Sequence, residues 1–225
     1  MNRRDLGTTV LWIVVHAAVV AVTVALLLAE PIAGWVGSAT GIDVLDASPL
    51  RRALLAAASV VILVRMAVTG LILLPRQMGI GEAIVVDAWL AIIHLTFAIT
   101  GASNPHPVGV FVWLGVGVFV AGSAINTAAE IGRRRFKRRP ENVGRLYTGG
   151  LFSCSMHVNY FGDILWCTGA ALITGRALAL IIPLLMTAMF VWVHIPRLDA
   201  HLAQKYGEQF DRYRRTTKKL VPGVY

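Results

Sequence analysis

Long apolar runs alternate along the chain with short polar segments. Runs of this length predict transmembrane helices, because about 20 apolar residues cross the roughly 30 Å hydrocarbon core of a bilayer. The pattern predicts six spans, at about 8–28, 54–74, 83–100, 108–130, 157–173 and 178–194. The glycine-rich segment from Glu30 to Ser48 predicts a loop. We therefore predict an all-α, polytopic membrane helical bundle that makes a single domain, 1–225.

Composition supports the membrane class. The chain is 56% hydrophobic and 15% charged, whereas soluble domains carry roughly 25% charged residues. The first run follows a basic start and could be a cleaved signal peptide, but its length and the later runs favour a retained helix. Cys154 and Cys167 provide neither a disulfide framework nor metal-ligand spacing, so we expect no metal.

The distribution of lysine and arginine orients the bundle. Six spans place both termini on one side, and cytoplasmic segments carry the excess of basic residues. One side collects the basic residues of the N-terminus, the loops after spans two and four, and the tail. The other side keeps only Arg51, Arg52 and Arg176. We predict N-in and C-in topology in the cytoplasmic membrane of a bacterium.

The basic run 133–139 and the net charge of +9 could indicate a nucleic-acid partner. The orientation rule explains the same charge without one, so we expect membrane lipids and no nucleic acid as partners. A third interpretation is that this cationic segment, which we place in the loop after span four, holds the phosphates of a nucleotide.

Polar groups inside apolar spans are costly and are therefore candidate site residues. Span three carries Asp87 and His94, seven residues apart and so on one face, and span two carries Arg65. An Arg65–Asp87 ion pair between neighbouring helices is the structural alternative. Span four also contains glycines that we expect to allow close helix packing; these are Gly115, Gly117 and Gly122.

The fifth span provides the most informative stripe. Asn159, Asp163 and Trp166 fall at i, i+4 and i+7, on one face of an otherwise apolar helix. Asn126 and Glu130 lie one turn apart at the end of span four. The alternatives are an interhelical hydrogen bond for the stripe and an ion pair of Glu130 with Arg134.

The tail is polar. The segment 197–201 continues span six as a charged helix, and 205–213 is an amphipathic continuation. Such a tail can lie on anionic lipid, but its aromatic residues and the segment 222–225 indicate that it folds back onto the core.

Together these residues resemble the C-terminal region of the steroid 5-alpha-reductases and related membrane sterol reductases. The matching positions are 149–152, 159–163, Trp166, Gly169, Leu172, 205–207, Tyr213 and 222–225. The resemblance covers about Asn126 to Tyr225 and implies that 126–225 binds NADPH, whereas 1–125 supplies substrate-side helices. Related membrane methyltransferases, for isoprenylcysteine and phospholipids, use S-adenosylmethionine instead.

Carried over residue by residue, the resemblance implies a set of cofactor contacts. These are Asn126, Glu130, Arg145, Asn159, Asp163, Arg197 and Asp199. Tyr160 and Trp166 offer flat faces for a ring. The chain has Met156 and Val158 where many relatives have arginine and proline, which favours the reductase over the methyltransferase.

The family presents a tyrosine from an early helix, whereas the first tyrosine here is Tyr147. The other available groups are Glu82, Asp87 and His94, and we assign the proton to Asp87 or His94. We expect an NADPH-dependent reductase of a carbon–carbon double bond, with a lipid-soluble substrate that enters from the bilayer and the cofactor on the cytoplasmic side. The alternatives are an S-adenosylmethionine-dependent methyltransferase and a non-enzymatic lipid-binding protein. The sequence leaves the oligomeric state open.

Overall fold

A computed structural model describes residues 6–42, 44–74 and 78–225, without the side chain of Leu6. Within these residues the chain is helical and contains no strand, which confirms the all-α prediction. Five helical stretches are long and apolar enough to cross a membrane: Gly7–Leu28, Pro49–Leu73, Ile80–Ala102, Val110–Lys137 and Ala177–Tyr206. This finding confirms a polytopic helical bundle.

The predicted fifth span is the short one. This helix, α6, covers Val158–Thr174 and has 17 residues. At about 1.5 Å of rise per residue it measures roughly 25 Å, less than the roughly 30 Å of a typical hydrocarbon core. The number of six spans, and with it the N-in and C-in topology, stays a prediction.

The chain divides into two compact units. Unit 1 contains the described residues up to Val116 together with Ala170–Leu180, and unit 2 contains Gly117–Gly169 and Ile181–Tyr225. The single-domain prediction and its internal boundary between residues 125 and 126 stay predictions.

Unit 1 is built on three long helices. The helix α1 (Leu6–Leu28) packs against both α3 (Pro49–Val68) and α4 (Ile80–Ala102), and α3 continues as a π-helical turn over Thr69–Leu73. Apolar side chains such as Leu27, Ile62 and Ile93 fill the interior. The bounds predicted for spans one, two and three therefore differ from the observed helices only at their ends.

The predicted loop 30–48 is wrong in its first half, which forms helix α2 (Glu30–Thr40). Pro31 lies at its start, where no intrahelical N–H is required. Gly41 ends the helix with φ of 70° and donates its N–H to the carbonyl of Gly37, as a left-handed C-cap does. The glycine content suggested a loop, but the proline and the last glycine mark the ends of a helix.

Two arginines that lie between the predicted spans one and two are buried in the first turn of α3. The guanidinium of Arg51 donates to the carbonyls of Asn104 and His106, both at 2.8 Å, and to that of Pro107 at 3.2 Å. Arg52 Nε donates to the carbonyl of Leu27 at 2.5 Å. The helices α1 and α4 end at Leu28 and Ala102, so these side chains satisfy carbonyl groups at and beyond helix ends.

Unit 2 contains most of α5 (Val110–Lys137), most of α6, and a nearly continuous helix that follows. This last helix comprises α7 (Ile181–Met189), a π-helical turn (Phe190–His194) and α8 (Ile195–Tyr206); the 3₁₀ turn that precedes it in sequence, Ala177–Leu180, belongs to unit 1. Helix α5 ends at Lys137 and not near Glu130, so most of the basic run 133–139 is helical. The prediction that this run lies in a loop is wrong, and cations in a last helical turn are favoured by the helix dipole.

Two glycines bring α5 and α6 together. A Cβ atom at Gly162 would lie 2.7 Å from the backbone nitrogen of Asn126. A Cβ atom at Gly122 would lie 2.6 Å from the carbonyl oxygen of Gly162 and would also meet the backbone nitrogen of Trp166. The close-packing prediction is confirmed for Gly122, whereas a Cβ at Gly117 would meet nothing within 4 Å.

The tail folds back within unit 2, as predicted. After a break at Gly207, helix α9 covers Glu208–Thr216. The hydroxyl of Tyr213 donates to the carbonyl of Phe152 at 2.5 Å, and burial, with a smaller effect of Cys154, raises the pKa of Tyr213. The N–H groups of Met156 and His157 donate to the carbonyls of Lys218 and Lys219, at 2.8 and 3.0 Å.

Arg51→Met should destabilise the protein by about 3 kcal/mol, because three carbonyl groups lose a charged donor and buried unsatisfied groups cost about 1–3 kcal/mol each. Chemical unfolding in detergent, followed by helical circular dichroism, measures the change. The exposed Arg138→Met is the control and should leave the midpoint unchanged. Equal midpoints for the two variants would contradict the role of Arg51.

Gly122→Ala should lower the unfolding midpoint, since the added methyl group pushes α5 from α6 at a cost of about 1–3 kcal/mol. Gly117→Ala is the matched control on the same helix. It should be neutral or stabilising, because alanine is the better helix former by up to about 1 kcal/mol. A Gly122→Ala midpoint as high as that of Gly117→Ala would refute the close contact.

Candidate functional site

A network of hydrogen bonds joins α5 to α6 in unit 2. Asn126 Nδ2 donates to Asp163 Oδ1 at 2.9 Å and to the carbonyl of Asn159 at 3.0 Å. Asn159 Nδ2 donates to Glu130 Oε1 at 3.1 Å. Trp166 Nε1 donates to the same Asp163 oxygen at 2.8 Å. The residues predicted on spans four and five are thus in one cluster, and the interhelical hydrogen bond considered as an alternative is present.

The network is buried at both ends, at Glu130 and Trp166, and half-buried between them. Glu130 is buried and pairs with Arg133 at 2.5 Å, so its partner is the residue at i+3 and not Arg134. The side chains of Asn126, Asn159 and Asp163 are half-buried. Amide and carboxylate groups in such positions can bind hydroxyl and carboxamide groups of a ligand.

The two aromatic residues that were predicted to offer a flat face to a cofactor ring differ in their surroundings. Trp166 is 2% exposed, and its N–H orients Asp163. Tyr160 is half-buried and stacks on Phe190, with ring centroids 4.5 Å apart, and on His157 at 5.7 Å. The contact of either ring with a cofactor stays a prediction.

A second cluster lies around Asp199. His157 Nε2 lies 2.9 Å from Asp199 Oδ1, and Lys219 Nζ lies 3.7 Å from Asp199 Oδ2. His157 is buried and stacks on Tyr160, so it connects this cluster to α6. Sequence reasoning gave His157 no role in the site, although its position at the start of α6 next to Asn159 is a visible signal.

Asp199 lines a cavity of about 490 Å³ formed by the tail and the segment before α6. Three cationic side chains and two aromatic ones share the lining: Arg214, Lys218, Lys219, Phe210 and Tyr225. Positive side chains around a carboxylate and aromatic rings suit a ligand that carries phosphate and a flat ring. Sequence reasoning did not select these three cations, because only the folded-back tail brings them to Asp199.

Arg145 and Arg197 have exposed side chains. The backbone carbonyl of Arg145 accepts a hydrogen bond from Lys137 Nζ, which also donates to the hydroxyl of Tyr206 at 2.9 Å. The phosphate contacts predicted for the two arginines stay predictions.

The proposed proton donors lie in unit 1. His94 Nε2 lies 3.1 Å from His16 Nε2, and His94 Nδ1 lies 3.2 Å from Ser59 Oγ. These three side chains are buried, and the cavity beside His94 holds only about 10 Å³. His16 was missed by the sequence reasoning, although it is an ionisable residue in the middle of span one.

Asp87 has a different environment from His94, although both lie on α4. It lines a groove of about 400 Å³ with residues of α1 and α4. The groove offers space for a molecule beside the carboxylate, which the surroundings of His94 do not. The catalytic roles of both residues stay predictions.

Comparison with known proteins identifies relatives of two chemical classes. The chain is 34% identical to "Probable O-methyltransferase ustE" of Ustilaginoidea virens over 96 residues, 40% of this chain and 33% of that protein. It is 29% identical to human 3-oxo-5-alpha-steroid 4-dehydrogenase 2 over 112 residues, 50% of this chain and 42% of that protein. It is 28% identical to Delta(14)-sterol reductase of Ascobolus immersus over 153 residues, 61% of this chain and 36% of that protein.

The chain spans less than half the length of these curated relatives. Its apolar helices and these relatives together identify an integral membrane protein. The family described as "Protein of unknown function (DUF1295)" matches residues 83–217, which include the α5–α6 network, Asp199 and α9. The chain therefore belongs to this family, which is similar to the steroid 5-alpha-reductases.

Proposed function

We propose that the protein is a membrane reductase that uses NADPH to reduce a carbon–carbon double bond in a lipid-soluble substrate. The observation that carries the proposal is the connection in unit 2 between the α5–α6 network and the basic cavity at Asp199, through the stacked rings of His157 and Tyr160. The names of the steroid dehydrogenase and the sterol reductase support the reaction class.

The donor set of unit 2 fits NADPH by its chemistry. Arg214, Lys218 and Lys219 suit phosphate groups, which accept charge-assisted hydrogen bonds. Asp199 suits a ribose hydroxyl, which can donate to a carboxylate.

The α5–α6 network suits the nicotinamide end of the cofactor. The half-buried amides of Asn126 and Asn159 and the carboxylate of Asp163 can bind a carboxamide, which both donates and accepts. When bound, NADPH supplies the hydride; the protein orients the ring and excludes water around it. The apolar surfaces of α5 and α6 around the network provide this exclusion.

A methyltransferase is the second candidate. The similarity to a protein named as an O-methyltransferase, at 34% identity, favours it. S-adenosylmethionine carries no phosphate, however, and its single carboxylate is a weaker match than a phosphate group for a cavity lined by three cations, of which Arg214 also pairs with Asp211 and Lys219 with Asp199. A non-enzymatic lipid-binding role is the third candidate, in which the network serves helix packing alone.

The place of the reaction follows from charge. The basic end of α5 and the cationic tail belong to unit 2 together with the proposed cofactor site. Basic segments of membrane proteins stay in the cytoplasm. We infer a cofactor site that faces the cytoplasm, in the cytoplasmic membrane of a bacterium.

Titration of the detergent-purified protein with NADPH should raise its thermal midpoint, because a ligand that binds only the folded state stabilises it by mass action. S-adenosylmethionine at the same concentrations should have no effect. If only S-adenosylmethionine stabilises the protein, the reductase proposal is wrong and the methyltransferase is favoured. If neither ligand stabilises it, the non-enzymatic lipid-binding role is favoured.

Asp163→Asn should weaken NADPH binding more than tenfold, on the order of 1.4 kcal/mol, because the neutral amide accepts hydrogen bonds less strongly than the carboxylate. Its similar shape keeps an oxygen for Asn126 and Trp166, so the fold should persist. Isothermal titration calorimetry measures the affinity, with the exposed Glu141→Gln as the control. An unchanged dissociation constant would remove Asp163 from the cofactor site.

A further inference from the structure

Two faces of the basic end of α5 are covered by other parts of unit 2. On one face Arg133 pairs with Glu130 at 2.5 Å, and Glu130 belongs to the α5–α6 network. On another face the ring of Phe136 packs against that of Tyr147, with centroids 4.9 Å apart. A third face of this helix end carries the remaining arginines.

Three arginines share this third face, which we call the arginine face. At about 100° per residue, Arg134, Arg135 and Arg138 fall within an arc of about 100°. The N–H of Arg138 donates to the carbonyl of Arg134 at 3.0 Å, so the helical turn extends to Arg138. Arg135 and Arg138 are exposed, and Arg134 is half-buried. Within the described part of the chain, none of the three side chains takes part in an ion pair or a hydrogen bond.

The arginine face continues an exposed apolar face of the same helix. Val120 precedes Arg138 by 18 residues, which is five full turns, and Ala124 precedes Arg135 by 11 residues, which is about three turns. Val120 is 58% exposed, and Ala124 is also exposed. Helix α5 is long and apolar enough to cross a membrane, so these two side chains face lipid tails. The headgroups of the same lipids then lie next to the arginine face.

The length of the apolar stretch places the arginines at the depth of those headgroups. Residues 110–129 contain no charged side chain, and at 1.5 Å of rise per residue they measure about 30 Å, the thickness of the hydrocarbon core. Arg134 and Arg135 lie within about 9 Å of the end of this stretch, and the headgroup layer is roughly 5–8 Å thick. Side chains of a helix tilt toward its N-terminus, so the three guanidinium groups lean back toward the membrane.

The chemistry of the arginine face selects a phosphate group. Guanidinium groups bind phosphate oxygens through paired, charge-assisted hydrogen bonds. The run 133–139 contains six basic residues, and four to eight basic residues next to a membrane span are typical of binding to anionic lipid. The orientation rule accounts for basic residues on this side of the membrane, but it does not require three of them to share one face above exposed apolar side chains.

We propose that the arginine face binds the headgroup of an anionic phospholipid. The phosphate oxygens accept hydrogen bonds from Arg134, Arg135 and Arg138, and the acyl chains lie along Val120 and Ala124. The site belongs to unit 2 and does not depend on the proposed reductase, whose cofactor phosphates are assigned to the tail cavity.

Competition between two lipids tests the proposal on the unaltered protein. The full chain in detergent is incubated with equal amounts of phosphatidylglycerol and phosphatidylcholine that have the same acyl chains, and mass spectrometry of the intact complexes measures the bound lipids. Phosphatidylglycerol should be bound about fivefold more, because no choline group cancels the charge of its phosphate. Equal binding of the two lipids would overturn the proposal.

Glycerol 3-phosphate distinguishes a lipid from a soluble anion, because it carries the phosphate group without acyl chains. It should displace phosphatidylglycerol no more than sodium chloride does at the same ionic strength. Stronger displacement by glycerol 3-phosphate would overturn the lipid as the ligand and assign the arginine face to a soluble phosphate compound.

Substitutions locate the binding. The triple variant Arg134→Gln, Arg135→Gln and Arg138→Gln should bind the two lipids equally. The matched control removes the same charge from exposed side chains of α8 and α9; its substitutions are Lys205→Gln, Arg212→Gln and Arg215→Gln. The control should keep the preference of the unaltered protein. An equal loss in both triple variants would show an effect of net charge alone and would overturn the site.

A double variant keeps the test informative if the triple variant fails to fold. Arg135→Gln with Arg138→Gln changes only exposed side chains, so the helical circular dichroism should be that of the unaltered protein. This variant should lose at least half of the preference for phosphatidylglycerol, and an undiminished preference would also contradict the proposal.

Discussion

The contact between α5 and α6 is the constraint on which unit 2 depends. Gly122 and Gly162 let the two backbones approach, and only at this separation can the Asn126 amide reach both Asp163 and the carbonyl of Asn159. Helix association in a membrane relies on close packing and interhelical hydrogen bonds, since lipid provides no hydrophobic driving force between apolar helices. The polar groups thus hold the helices together and at the same time remain half accessible.

The same contact organises the chemistry at the start of α6. His157 precedes this helix, stacks on Tyr160 and reaches Asp199. The N–H groups of Met156 and His157 donate to the carbonyls of Lys218 and Lys219, and the hydroxyl of Ser155 donates to the carbonyl of Leu220. These bonds bring the cationic tail to Asp199. Helix packing, tail docking and the charge around the cavity are therefore parts of one arrangement, and a change at the glycines would reach the cavity through α6.

Features of the structure that depend on local sequence patterns could be predicted. Apolar runs located the long helices, and the spacing of Asn159, Asp163 and Trp166 placed them on one face. Long-range pairings could not be predicted, because hydrophobic periodicity does not show which carbonyl groups Arg51 binds or that His16 contacts His94. Helix α2 was missed for a different reason. Its glycine content favoured a loop, although Pro31 and Gly41 are typical of the start and the end of a helix.

The most direct test of the reductase is the fate of the hydride. Membranes that contain the protein are incubated with a lipid extract and with NADPH deuterated at the transferable position, and the lipids are analysed by mass spectrometry. The account predicts a lipid that gains one deuterium from the cofactor and one hydrogen from water, and only when the protein is present. A lipid that gains no deuterium, but gains a labelled methyl group from S-adenosylmethionine in a parallel incubation, would contradict it.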